Sequence, residues 1–248
     1  MPRFDPAQYP GERPDGPVLV IRDEVVPLRL DGHPDAPLVV DAPTSVAAGS
    51  IRVLQAGVAR FAVAYGSNAS PLRLMDKELT SRGAILLPAV VRGWVAAFEA
   101  RRTGYGAVPL TFVPSLGAVT STWVLGLHPD DLAQLDRTEG RVPDGRDTTA
   151  EVGRTRDPAR FAPPGTYRLG RVGDVRIAER FLLRGAMAYL PGPATHVQMT
   201  GHGWRTYPAH DQAAAARHVE GDGPSAPAPP PAQAVVGPWP RTPLEPLT

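Results

Sequence analysis

Three features of this 248-residue chain point to an α+β fold. An apolar run, Phe61 to Ala64, breaks into the turn Tyr65-Gly66-Ser67-Asn68 and a helix start. A second segment, Leu127 to Gly140, reads as one short capped helix. On either side, short β-compatible runs are punctuated by Gly, Pro and Asp, so strands should outnumber helices.

In chain order, Met1 to Gly16 is polar and proline-rich and reads as an arm. Pro17 to Val26, Leu38 to Val40 and Ile51 to Val58 are β-compatible and could form a hairpin layer, making residues 1–60 an N-terminal extension. Phe61 to Ala64 suits a strand covered on both faces. Gly66 permits backbone angles closed to other residues, and Ser67 and Asn68 tolerate tight turns. Successive N–H groups could therefore converge on an anion. Ser70 is placed to cap a helix that begins at Pro71, with Leu72, Met75 and Leu79 as its apolar face. Strand, glycine turn and helix start make a favourable setting for a carboxylate or phosphate.

The second segment is equally legible. Pro129 suits the first turn, Asp130 and Asp131 lie where the helix dipole favours negative charge, Leu132 and Leu135 face inward, and Gly140 can end the helix in a left-handed conformation. Glu139 then lies at the carboxyl end. The dipole disfavours its charge there, which suits a general base. Tyr167 begins another strand-like run, Ala213 to Val219 reads as a last helix, and residues 220–248 are so rich in proline that a disordered tail is expected. The domain reading is 1–60, 61–219 and 220–248.

Composition excludes much else. There is no cysteine, hence no disulfide, thiolate nucleophile or thiolate metal site. His196, His202, His210 and His218 fit no usual ligand spacing, so no metal is expected. The net charge of +1, with both signs mixed along the chain, gives no drive toward nucleic acid. Lys77 is the only lysine; arginine carries nearly all the positive charge. Gly104-Tyr105-Gly106 lacks the third glycine and the context of a dinucleotide loop. No stretch resembles a secretion signal or a membrane span, which makes the cytoplasm the expected location.

Tyr65-Gly66-Ser67-Asn68 followed by Leu135-Asp136-x-x-Glu139-Gly140 resembles the gamma-glutamyl cyclotransferase superfamily. Gly104 to Phe112 and Thr122 to Leu127 look like its two intervening strands, and Ala186 to Leu190 like a later strand with a site tyrosine, Tyr189. The resemblance covers roughly residues 61–191. It implies a mixed, barrel-like sheet and an enzyme that cyclises a gamma-glutamyl group to 5-oxoproline without cofactor or metal. It also implies Glu139 as general acid and base, with Tyr65, Gly66, Ser67, Asn68, Tyr167 and Tyr189 around the substrate. The insertion between Arg141 and Thr166 would shape substrate choice. Two other readings are a non-catalytic module binding a small acidic ligand on the same fold, and removal of a gamma-glutamyl protecting group in specialised metabolism.

Overall fold

The computed structural model describes residues 5–30, 38–40, 45–53, 59–141, 162–163, 165–230, 234–235, 238–242 and 244–247. In chain order the elements are β1 (Val18–Ile21), β2 (Glu24–Leu30), β3 (Leu38–Val40), α1 (Ser45–Val53), β4 (Arg60–Ala64), α2 (Pro71–Asp76), β5 (Ala84–Phe98) and β6 (Leu110–Leu127). There follow α3 (Pro129–Glu139), β7 (Tyr167–Ile177), β8 (Phe181–Pro191), β9 (His196–Thr200), β10 (Gly203–Trp204), α4 (Gln212–Glu220), β11 (Ser225–Pro227) and β12 (Leu244–Pro246).

Five strands close on themselves. β4 pairs with β6, β6 with β5, β5 with β7 and β7 with β8, all antiparallel, and β8 returns to β4 in parallel, Ala62 opposite Met187. The result is a mixed α+β barrel with few helices. Alternation along β4 divides its burial. Phe61 and Val63 face the core with Ile85, Leu87, Phe112 and Val124, whereas Ala62 and Ala64 face a second core that holds Leu74, Leu132 and Leu135. That second core seats α2 and α3 on one face of the barrel. Gly126, opposite Phe61, is required by contact, since a Cβ there would lie 2.6 Å from the Phe61 ring.

The extension joins the same sheet. β1 pairs with β5 through Val18 and Leu86, β2 with β1, and β3 with β2. Residues 45–53 form a helix where a strand was expected from Ile51 onward, because Ala47 and Ile51, four apart, are the buried positions; residues 54–58 lie outside the described residues. The two intervening strands expected at 104–112 and 122–127 also need correction. Residues 99–109 are a loop, and 110–127 are one strand, paired along its length with β5, which was unread in the sequence, and at its end with β4. Pro114, Leu116 and Gly117 disguise it. The strand runs exposed through that stretch and shifts register opposite Gly93.

The tail is a third correction. β12 pairs with β8 through Leu244 and Leu183, and Trp239 is buried in the second core. Proline forbids a central strand but not an edge strand, and one indole suffices to dock the segment.

Candidate functional site

The turn after β4 is closed by bonds from Ala69 N–H to the Gly66 carbonyl and from Ser70 N–H to that of Ser67. Neither uses the N–H of Ser67 or Asn68. Gly66 has φ −100°, which any residue adopts, so the expectation of a conformation reserved for glycine is not met. Contact excludes a side chain instead, since a Cβ would lie 3.0 Å from the Tyr9 hydroxyl. Arg13 donates to the Gly66 carbonyl at 2.7 Å and to that of Tyr65 at 3.1 Å. The segment read as an arm thus braces the turn.

Ser70 and Pro71 begin α2 as expected, but the Ser70 hydroxyl makes no cap bond. Leu74 is buried and Leu72 exposed, which turns the helix from the face read in sequence. The helix ends at Lys77, whose N–H bonds to the Arg73 carbonyl and whose own carbonyl accepts from Gln134 of α3 at 3.2 Å. α3 matches its sequence signature, with His128 capping Asp130 N–H and Gly140 at φ +66°.

These two helix ends bring the motifs together. Asn68 Nδ2 donates to Glu139 Oε1 at 3.1 Å, although the residues are 71 apart in sequence. Lys77 Nζ lies 2.5 Å from the same oxygen and 2.6 Å from Asn68 Oδ1. Thr138 Oγ1 is 3.4 Å from Oε1 but gives its proton to the Leu135 carbonyl at 2.8 Å. Every donor reaches Oε1; Oε2 has none among the described residues. Burial lowers the Lys77 pKa from its usual value, and the Glu139 charge partly restores it. Sequence reasoning missed Lys77 as a site residue, although its being the only lysine was a signal.

Glu139 opens on a cavity of about 190 Å³. Ser67, Lys77 and Tyr167 line it, as do Tyr9, Arg73, Arg101, Arg102 and Tyr105, none of which the sequence assigned to the site. Tyr105 lies under the Arg73 guanidinium at 4.6 Å. The Tyr167 hydroxyl donates to Glu99 Oε1 at 2.7 Å, and Arg101 Nε donates to Glu99 Oε2 at 2.6 Å. Glu99 is fully buried, which pushes its pKa up; Arg101 and Tyr167 oppose that rise.

Two of the tyrosines are used elsewhere. The Tyr65 ring stacks on Phe112 at 4.6 Å, and its hydroxyl donates to the Tyr189 carbonyl. Tyr189 donates to Asp136 of α3. Burial raises both phenols well above their usual pKa, so both act as donors. Residues 142–161 and 164 of the expected insertion lie outside the described residues. Ala162 and Pro163, which are described, line the cavity. Among the described residues no cluster of His, Cys, Asp and Glu could hold a metal, and no helix is long and apolar enough to cross a membrane.

The arrangement can exchange a proton. One carboxylate oxygen is clamped by an ammonium and an amide, the other has no donor among the described residues, the residue lines a small cavity, and the cavity walls supply cations.

No family model matches the chain, and no curated protein matches it. Solved structures do. A gamma-glutamyl cyclotransferase is 16% identical over 56% of this chain and 72% of its own, with a TM-score of 0.39. An uncharacterized Homo sapiens protein is 17% identical over 57% and 72%, with a TM-score of 0.35. YkqA from Bacillus subtilis is 16% identical over 63% and 52%, with a TM-score of 0.37. At such identities the likeness does not extend to chemistry.

Proposed function

We infer that the protein is a gamma-glutamyl cyclotransferase-type enzyme, converting a gamma-glutamyl amide or peptide to 5-oxoproline and a free amine. The observation that carries this reading is the meeting of Asn68 and Glu139 at 3.1 Å beside the cavity, one from each of the two motifs. A substrate α-carboxylate would face the N–H groups of Gly66 to Asn68, with its α-ammonium at Glu139 Oε2.

Glu139 takes one proton from the ammonium. The freed amine attacks the γ-carbonyl carbon of the same glutamyl unit, forming the C–N bond of a five-membered ring. The original amide C–N bond then breaks as Glu139 returns that proton to the departing nitrogen, and the second proton of the ring nitrogen passes by the same carboxylate to the released amine, leaving a neutral lactam and an ammonium. Nucleophile and carbonyl already share one molecule, so a shaped pocket and one carboxylate suffice. The cavity is smaller than the roughly 300 Å³ at which drug-sized ligand pockets begin, in keeping with a small substrate.

The test is incubation with a panel of gamma-glutamyl peptides and amides, with 5-oxoproline detected by mass spectrometry. Wild type should release it, and Glu139→Gln should be slower by about 10² to 10⁴. Release at the wild-type rate by a folded Gln variant would remove Glu139 from the chemistry. Ligand binding without release would instead identify a binding module.

A further inference from the structure

We propose that Lys77 is the positioning residue of this site, its ammonium holding Glu139 by Oε1 so that Oε2 is the oxygen that exchanges protons in the cavity. This rests on the cyclotransferase reading and adds to it a residue that neither motif contains.

The triangle of Asn68, Lys77 and Glu139 is matched in polarity at every edge. The Asn68 amide turns its oxygen to the ammonium and its nitrogen to the carboxylate, and the ammonium bridges back to that carboxylate. The reverse amide orientation would set NH₂ against NH₃⁺. With Asn68 and Lys77 both donating to one oxygen, the carboxylate is held in one setting. The Lys77 side chain is only 4% exposed, so its desolvation must be offset by these partners. Its backbone is tied to both helices that build the site, through the Arg73 carbonyl and the Gln134 amide. A compact ammonium can bridge two acceptors in so small a space, whereas the planar guanidinium used elsewhere in this chain presents a fixed fork. The single lysine thus stands where that geometry is needed.

The charged and titratable groups facing Lys77 are Glu139 on α3 and Arg73 on α2; Tyr9, Tyr105, Tyr167, Arg101 and Arg102 line the same cavity. Deprotonation of the ammonium would weaken the clamp, so activity should fall on an alkaline limb set by Lys77. Burial brings that limb below the ordinary lysine range.

A lone lysine makes the test selective. Labelling with ¹⁵N-lysine gives one side-chain nitrogen resonance, whose pH titration should differ between wild type and Glu139→Gln. In turnover, Lys77→Met should lower kcat by about 10²-fold with KM little changed, the cost of a misplaced catalytic group. Lys77→Arg should recover part of the loss. Lys77→Met added to Glu139→Gln should cost nothing further, because the residue acts through the carboxylate. An unaltered resonance in Glu139→Gln, a wild-type kcat in Lys77→Met, or a full additional loss in the double variant would each overturn the proposal. If Lys77→Met does not fold, the two resonances decide. If wild type releases no 5-oxoproline, the cyclotransferase reading fails while the resonance comparison still tests the clamp.

Discussion

The Tyr189 hydroxyl donates to Asp136 Oδ1 at 2.7 Å, fastening β8 to the helix that ends in Glu139. Arg141 bonds the other oxygen at 2.7 Å, and the Trp239 indole N–H reaches the pair at 3.2 and 3.3 Å. The aspartate of the second motif is therefore a bolt behind the site. Burial raises its pKa, while Tyr189, Arg141 and Trp239 favour the charged form. It serves Glu139 by fixing α3.

The first prediction follows from that bolt and from the docking of a tail expected to be disordered. Deleting residues 238–248 removes both Trp239 and β12. The buried aromatic alone should cost about 3–5 kcal/mol. The deletion should therefore lower the urea midpoint and reduce turnover, as α3 loses a support. Trp239→Phe keeps most of the ring but loses the N–H bonds to Asp136, a milder loss of about 1.5–3 kcal/mol. An unchanged unfolding midpoint in the deletion would show the docked tail to be energetically idle.

What the sequence disclosed depended on how local the signal was. α3 was readable to its last residue because Pro129, two leucines and Gly140 are each a local rule, and each holds. Lys77 has no local rule. It stands one residue past α2, and its importance comes from a partner on α3. Tyr9 and Arg13 lie in a segment whose composition suggests an arm, yet they reach the Gly66 turn across more than fifty residues. β5 went unread because Pro88, Arg92 and Gly93 break its alternation, while its long pairing with β6 is visible only in three dimensions. Leu72 misled because α2 is under two turns long, too short for periodicity to fix its buried face.

A second prediction separates contact from conformation in the turn. Gly66 has an ordinary φ, so Gly66→Ala is not strained in itself; its methyl meets the Tyr9 hydroxyl at 3.0 Å. That hydroxyl accepts the Leu110 N–H at 3.0 Å, so it cannot move freely. Gly66→Ala should impair turnover, and adding Tyr9→Phe should restore part of it by opening space. Ser67→Ala should be mild if backbone N–H groups, not the hydroxyl, hold the substrate. A severe loss in folded Ser67→Ala would make the hydroxyl the essential group. Failure of Tyr9→Phe to relieve Gly66→Ala would place the defect elsewhere.

Gly140 gives a third. Its φ of +66° disfavours a side chain, and an added Cβ would lie 2.0 Å from the Pro163 carbonyl oxygen. The segment it would push away bonds back to the end of α3, through Ala162 N–H to Thr138 and Gly165 N–H to Gly140. Gly140→Ala should therefore cost more than the approximately 1 kcal/mol of a left-handed alanine alone. It should also raise KM, since Ala162 and Pro163 line the cavity. Calorimetry and steady-state kinetics on the same preparation measure the two effects, and a variant with wild-type KM would mean that the displaced segment plays no part in substrate binding.

The last prediction concerns Glu99, behind the cavity wall. Its carboxyl is 0% exposed, and burial raises its pKa above the ordinary 4.5 despite Arg101 and Tyr167; the charge of Glu139 pushes the same way. A raised folded-state pKa means that the native protein holds this proton after the unfolded chain has released it. The associated stability is complete below about pH 4.5 and is lost as pH rises through the folded value. Glu99→Gln never ionises. The stability of wild type relative to Glu99→Gln should therefore fall as pH climbs from 4.5 toward neutrality, measured by urea unfolding across that range. The opposite trend would mean that the native state favours the carboxylate, with Arg101 outweighing burial. Tyr167→Phe separates the two influences on Glu99. Without the hydroxyl that donates at 2.7 Å, the charged form loses a donor while the Arg101 contact stays, so the decline with pH should steepen or extend further. Because Arg101 also lines the cavity, Glu99→Gln should change substrate affinity more than kcat, whereas Glu139→Gln should act on kcat.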